Sequence, residues 1–211
     1  MKIYIIGDSI SIHYGPYLEQ FLRGTIEYSR KEGEEEALLN LDRPLGANGG
    51  DSSMVLSFLK AKVQDGGIDA NLMLINCGLH DIRTDRVSDT KQVPLEQYEK
   101  NLRGIIEVVT GTGIHMVWIR TTPCDEAVHN PPGGNGVLRF KADCAAYNAA
   151  ADRIMKDAGV PCIDLAGFTA NLGPDLYCDH VHFVEPVREK QAAFIAGWLD
   201  AWMQHHKAAL G

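Results

Sequence analysis

Ser9 stands in Gly7-Asp8-Ser9, directly after the apolar run Ile3-Tyr4-Ile5-Ile6. A hydroxyl at the carboxyl end of a buried strand is well placed to act as a nucleophile, because ligands and catalytic groups gather there in open α/β sheets. A serine in that position also caps a following helix, and this stretch alone leaves both readings open. A serine nucleophile needs a base, a group that orients the base, and donors for the oxyanion. Asp179-His180-Val181-His182 offers the first two. A carboxylate three residues before an imidazole can fold back to Nδ1 and leave Nε2 to take a serine proton. The same tetrapeptide also reads as a solvated loop acid and a histidine at a helix start.

Oxyanion donors are offered at two further places. Gly49-Gly50-Asp51-Ser52-Ser53 opens a helical pattern, and glycine there lets a backbone N–H approach a ligand closely. Asp51 or Ser52 also suits the cap of that helix. Gly78-Leu79-His80-Asp81 follows an apolar strand, and His80 can donate an N–H to developing negative charge if its tautomer is fixed.

Apolar runs at 2–7, 25–28, 71–77, 114–120 and 160–163 read as strands. Helical periodicity spans 12–23, 52–64, 94–110, 138–158 and 185–206. This alternation predicts an α/β fold, with a parallel sheet of about five strands and helices on both faces. In the last helix Phe194, Trp198 and Trp202 form one stripe beside Ile195, Leu199 and Met203, the pattern of core packing. Two segments break the regularity. Residues 30–50 begin with the charge run Arg30-Lys31-Glu32-Gly33-Glu34-Glu35-Glu36, read as solvated surface. Residues 121–137 carry Pro131-Pro132-Gly133-Gly134-Asn135-Gly136, a loop expected to overhang the site.

With 211 residues, 45% of them hydrophobic, the chain suffices for one large core, and a single domain over residues 1–211 is expected. A formal net charge of −8 without a basic cluster argues against nucleic acid or an anionic membrane as partner. No apolar stretch has the length of a membrane span. The short apolar start holds the candidate nucleophile, so no signal peptide is expected. Cys77, Cys124, Cys144, Cys162 and Cys178 are widely spaced and odd in number, which points to reduced thiols and a cytoplasmic location.

Taken in order, Gly7-Asp8-Ser9, Gly50 before Asp51-Ser52-Ser53, Gly78-x-x-Asp81 and Asp179-x-x-His182 resemble the SGNH hydrolase superfamily, the GDSL-type esterases and lipases. The resemblance covers nearly the whole chain, including Tyr147-Asn148. The Gly-x-Ser-x-Gly elbow of the α/β-hydrolases is absent. The resemblance implies a three-layer α/β/α, flavodoxin-like fold. It also implies a serine esterase with Ser9 as nucleophile, His182 as general base and then acid, and Asp179 as the orienting carboxylate. The backbone N–H groups of Ser9 and Gly50 would line the oxyanion hole. The implied substrate is a small-molecule ester carrying an acetyl or other short acyl group, such as an acylated sugar, with no metal ion or cofactor. The chain departs from the family at one donor: the pattern is Gly-x-Asn-Asp, and here His80 replaces the Asn. His80 is therefore expected to donate in its place, with a strength that varies with pH.

Two other classes of protein fit parts of this pattern. Asp179, His180 and His182, with Asp8, His80 and Asp81, could build a metallohydrolase site, although Ser9 and Gly50 would then have no role. A carbohydrate- or ligand-binding module could keep the fold and lose activity through the change to His80, but the intact Ser9, Asp179 and His182 argue against it. His13, Tyr14 and Tyr17 after the nucleophile, Arg120 and Thr122 after the fourth strand, and His129 in the long loop stay without an assigned role.

Overall fold

Strand β1 (Lys2–Ile6) is buried on both faces, with Ile3, Ile5 and Ile6 fully inaccessible, as a central strand covered by two helical layers must be. The computed structural model describes residues 1–134 and 136–206; Asn135 of the long loop lies outside the described residues. From β1 the chain passes through α1 (Ser9–Leu22), β2 (Glu27–Arg30), α2 (Glu34–Leu39), α3 (Ser52–Gln64) and β3 (Leu72–Ile75). Then come β4 (Thr84–Asp85), α4 (Leu95–Gly111), β5 (His115–Ile119), α5 (Glu126–His129) and β6 (Val137–Leu138). It ends with α6 (Lys141–Asp157), β7 (Cys162–Ile163), α7 (Leu165–Ala170) and α8 (Glu185–His206).

The main sheet has five parallel strands in the order β2-β1-β3-β5-β7. The first crossover leads outward from β1 to β2, and every later one leads the other way. With right-handed crossovers this reversal puts α1 on one face and α3, α4 and α6 on the other. The helix contacts agree: α1 packs on α8, while α3, α4 and α6 pack side by side. The switch point lies between β1 and β3, so the ends of these two strands frame a crevice. Ser9 follows the first of them and His80 the second. The expected three-layer α/β/α architecture is therefore the one observed.

All five expected strands and five long helices occur, with shifted ends. Helix α1 starts at Ser9 rather than near residue 12, and β2 lies at Glu27–Arg30 rather than 25–28. The buried ridge of α8 is Ile195, Leu199 and Trp202; Phe194 and Trp198 are partly covered, and Phe194 stacks on Phe168 at 4.2 Å between ring centres. The charge run at 30–36 is not wholly loop. Glu34, Glu35 and Glu36 form the exposed first turn of α2, where acidic side chains favour a helix N-terminus. Missing from the sequence reading is a second sheet, in which β4 and β6 pair antiparallel with Thr84 opposite Leu138 and Asp85 opposite Val137.

Candidate active site

Asp8, not Ser9, caps α1: its carboxylate accepts from Ile10 N at 3.0 Å. The cap reading of Ser9 is thereby set aside, and its hydroxyl is free for another bond. That bond joins Ser9 Oγ to His182 Nε2 at 2.9 Å, across 173 residues of sequence. His182 Nδ1 faces Asp179 Oδ2 at 2.7 Å. The other oxygen of Asp179 accepts from Val181 N at 2.8 Å and His182 N at 2.7 Å, so the turn is wound around its own carboxylate. Burial acts to raise the Asp179 carboxyl, but the hydrogen bonds from His182 and Val181 outweigh it and hold the group below the usual carboxylate range. An ionised Asp179 accepts a hydrogen bond from Nδ1–H, an arrangement that leaves Nε2 able to take a proton from Ser9.

His13, one of the unassigned residues, packs edge-on against the His182 ring with centres 4.9 Å apart. Burial, then the charges of Arg188 and His182, push it down to about 4, so it is a neutral wall at ordinary pH. Tyr14 is core, and Tyr17 hydrogen-bonds Glu185 at the surface. Arg120 pairs with Asp152 at 3.1 Å and Asp164 at 2.6 Å, so its charge is spent away from Ser9. Thr122 is buried in the wall of a small cavity that also touches Asp8 and Ser11.

The loop carrying Gly50 is fastened to the end of β1, just before Ser9, by Gly49 N donating to Gly7 O at 2.8 Å. Gly50 has φ +72°, and a Cβ there would come within 2.6 Å of Met54 Sδ and 2.8 Å of Pro44 Cβ, so only glycine fits. Its N–H already donates to Asn48 Oδ1 at 3.0 Å, and Asn48 is fixed in turn by donating to Leu41 O and Arg43 O. Ser9 N, at the first position of α1, has no hydrogen-bond partner among the described residues.

His80 sits in the turn after β3, 2% exposed. Gly78 makes that turn possible: at φ +152° it leaves room for Thr121 Oγ1, which would lie 2.5 Å from a Cβ and instead donates to Cys77 O. Burial, followed by the charges of Arg139 and Arg83, pushes His80 down to about 3. It is therefore neutral throughout the neutral and mildly acidic range, and the expected pH-dependence of its donor strength does not hold there. Its Nδ1 is sealed without a partner. A bare acceptor is tolerated in that position better than an orphaned N–H, which puts the proton on Nε2.

Asp81 plays a bracing part. It accepts from Ser52 N with both oxygens, at 3.0 and 3.1 Å, and from Ser52 Oγ, pinning α3 to the turn after β3. Asn101 Nδ2 donates to the same Ser52 Oγ at 2.8 Å. Asn148 clamps the end of β5 likewise, accepting from Thr121 N at 3.1 Å and donating to Thr121 O at 2.8 Å. Among the described residues no three His, Cys, Asp or Glu side chains converge as metal ligands would. His180 and His182 diverge: one faces Ser9, and the other faces His129 and Asp42.

The sequence profile of the GDSL-like lipase/acylhydrolase family matches residues 5–185. The chain belongs to that family. It is a carboxylic ester hydrolase of the α/β kind that the sheet order had already indicated. Solved structures agree on the fold at low sequence identity. A lipase/acylhydrolase from Enterococcus faecalis superposes with a TM-score of 0.69 at 16% identity, covering 95% of both chains. An acetyl xylan esterase gives 0.67 at 15% identity, over 94% of this chain and 99% of the other. A mutant acetyl-xylooligosaccharide esterase from Geobacillus gives 0.65 at 15%, over 92% and 91%. A sequence search of curated proteins returns no match. No helix among the described residues is long and apolar enough to cross a membrane.

Proposed function

We propose that this GDSL-family hydrolase cleaves short acyl esters of small molecules through an acyl-serine intermediate, with Ser9, His182 and Asp179 as its triad. One observation carries the reading: the unbroken chain from Ser9 Oγ to His182 Nε2 at 2.9 Å and from His182 Nδ1 to Asp179 at 2.7 Å. As Ser9 Oγ attacks the ester carbonyl, His182 takes its proton and the imidazolium is stabilised by Asp179. His182 then protonates the departing alcohol, and a water activated by the same nitrogen releases the acid and restores Ser9.

The oxyanion would meet three donors. Ser9 N–H is free. Gly50 N–H can be shared between Asn48 and the oxyanion, and His80 Nε2–H stands in for the family asparagine. Acetyl groups on carbohydrate are the favoured substrate class, in keeping with the two xylan-directed esterases of like fold. The five free thiols fit a reducing, cytoplasmic setting.

A series of 4-nitrophenyl esters from acetate to decanoate, run beside acetylated xylo-oligosaccharides, tests the reading. The expected kcat/KM is greatest for acetate and vanishes in Ser9→Ala. A folded protein that turns over none of these esters would refute it.

A further inference from the structure

Beside the triad lies a cleft of about 480 Å³, bounded on one side by Asp179 and His180 and on the other by Arg83, Arg86 and Arg139. Three guanidinium groups in one cleft are unexpected in a chain of net charge −8. The small sheet explains how they meet. With Thr84 opposite Leu138, the ladder extended by one residue sets Arg83 across from Arg139, and Arg86 follows the other end of β4. Like charges set directly across a ladder destabilise it. No carboxylate lies within ion-pair distance of any of the three among the described residues.

Arg86 Nη2 donates to Pro131 O at 3.3 Å. The Nε atoms of Arg83 and Arg86 are buried without a hydrogen-bond acceptor. Arg139, 4% exposed, donates from Nε to Leu79 O at 2.7 Å and lies 3.4 Å through Nη1 from His129 Nε2. Burial and then the charge of Arg83 push Arg139 down to about 10, against the opposing pull of Asp42 and Asp8. The cleft's two carboxylates are engaged elsewhere. Asp42 is paired with His180 Nε2 at 3.4 Å, and Asp179 is committed to His182. A positive cluster that is buried at Arg139 and half-buried at Arg83 and Arg86, with no carboxylate in ion-pair distance among the described residues, is complementary to an oxyanion such as carboxylate or phosphate, which guanidinium groups bind through paired hydrogen bonds.

The side of the reaction follows from the triad. His182 protonates the leaving alcohol, so the alcohol lies on the imidazole's side of the carbonyl, and Asp179 and His180 flank that imidazole on the wall of the cleft. We propose that Arg83, Arg86 and Arg139 form an anion subsite for the alcohol part of the substrate, so that this enzyme prefers acyl esters of small anionic alcohols carrying a carboxylate or a phosphate. The proposal rests on the ester-hydrolase reading and narrows its substrate.

The test compares kcat/KM for 3-carboxyphenyl acetate and phenyl acetate, which differ by one carboxylate on the alcohol. The native enzyme should favour the anionic ester by about tenfold or more, as expected for charge-assisted hydrogen bonds. In Arg83→Gln/Arg86→Gln the preference should fall to near parity. Lys60→Gln/Lys100→Gln, an equal charge change at exposed positions of α3 and α4, should keep it. Calorimetric binding of 3-hydroxybenzoate and of inorganic phosphate gives a readout independent of turnover, and the tighter of the two identifies the anion. Binding should be lost in the double arginine variant. Equal turnover of the two esters with no binding of either anion overturns the proposal. Absence of all ester turnover, with anion binding that still depends on Arg83 and Arg86, overturns the esterase reading and leaves the anion subsite standing.

Discussion

Ser9, His182 and Asp179 differ in what their loss should do. Ser9→Ala removes the attacking atom, and kcat for 4-nitrophenyl acetate should fall on the order of 10⁶-fold, as when a triad acts as a unit. Asp179→Asn keeps the shape of the turn but no longer selects the tautomer, with a fall of about 10⁴-fold expected. His80→Ala should lower kcat by ~10²–10³ through loss of an oxyanion donor, while His80→Asn, which restores the family's residue, should keep most of it. Equal activity of the alanine and asparagine variants would show that His80 does not donate. Ser9, Asp179 and His182 were legible as candidates because their motifs, Gly7-Asp8-Ser9 and Asp179-x-x-His182, are local, although each alone left a second reading open. His129, His180 and Asp42 were not, since their contact joins the end of α5 to two loops with no fixed spacing between them. The state of His80 was illegible too, for burial sets it and a sequence does not print burial.

Long elements announced themselves by period. Strands β1, β3 and β5 are continuous apolar runs, and α4 buries Tyr98, Leu102, Ile105 and Val109 at helical spacing. Strands β4 and β6 have two residues each, below any window over which alternation can be read, yet the arginines of the cleft flank them directly. Helix α3 shows how one cap couples element to site. Asp51 accepts from Ser53 N and Met54 N, each at 3.0 Å, directly after Gly50. Asp51→Ala should destabilise the protein by about 1 kcal/mol in urea unfolding. It should also reduce esterase kcat by freeing the Gly50 loop. A stability loss with unchanged kcat would mean that the cap does not position that loop.

At the scale of the molecule, one reversal of crossover direction between β1 and β3 brings Ser9 and His80 to a common crevice. The family resemblance implied a flavodoxin-like layout of this kind, whereas periodicity alone gives elements without their neighbours. The buried polar groups around that crevice leave a signature in the pH-dependence of stability. Burial pushes Asp81 up to about 7, with Ser52 hydrogen bonds opposing it. Its folded state therefore holds a proton that the unfolded state releases above about 4, so Asp81 adds stability in acid that is lost as pH rises through 7. His13, His80 and His129 act oppositely. Burial lowers them to about 4, 3 and 4, so the stability they add above pH 6.5 is lost as pH falls. Asp81→Asn removes the compensating contribution. Its Tm should decline more steeply than that of the native protein between pH 7 and 4, and parallel curves would show that Asp81 is ionised throughout.

The central claim is that Ser9, activated by His182, attacks the ester carbonyl. Its most direct measurement is the site of covalent capture by diethyl 4-nitrophenyl phosphate, read by intact mass and peptide mapping alongside residual activity. The expected result is a single adduct per chain on Ser9, with activity lost in proportion and no adduct in His182→Ala. Full activity after capture, or an adduct elsewhere with Ser9 unmodified and activity abolished, would contradict it.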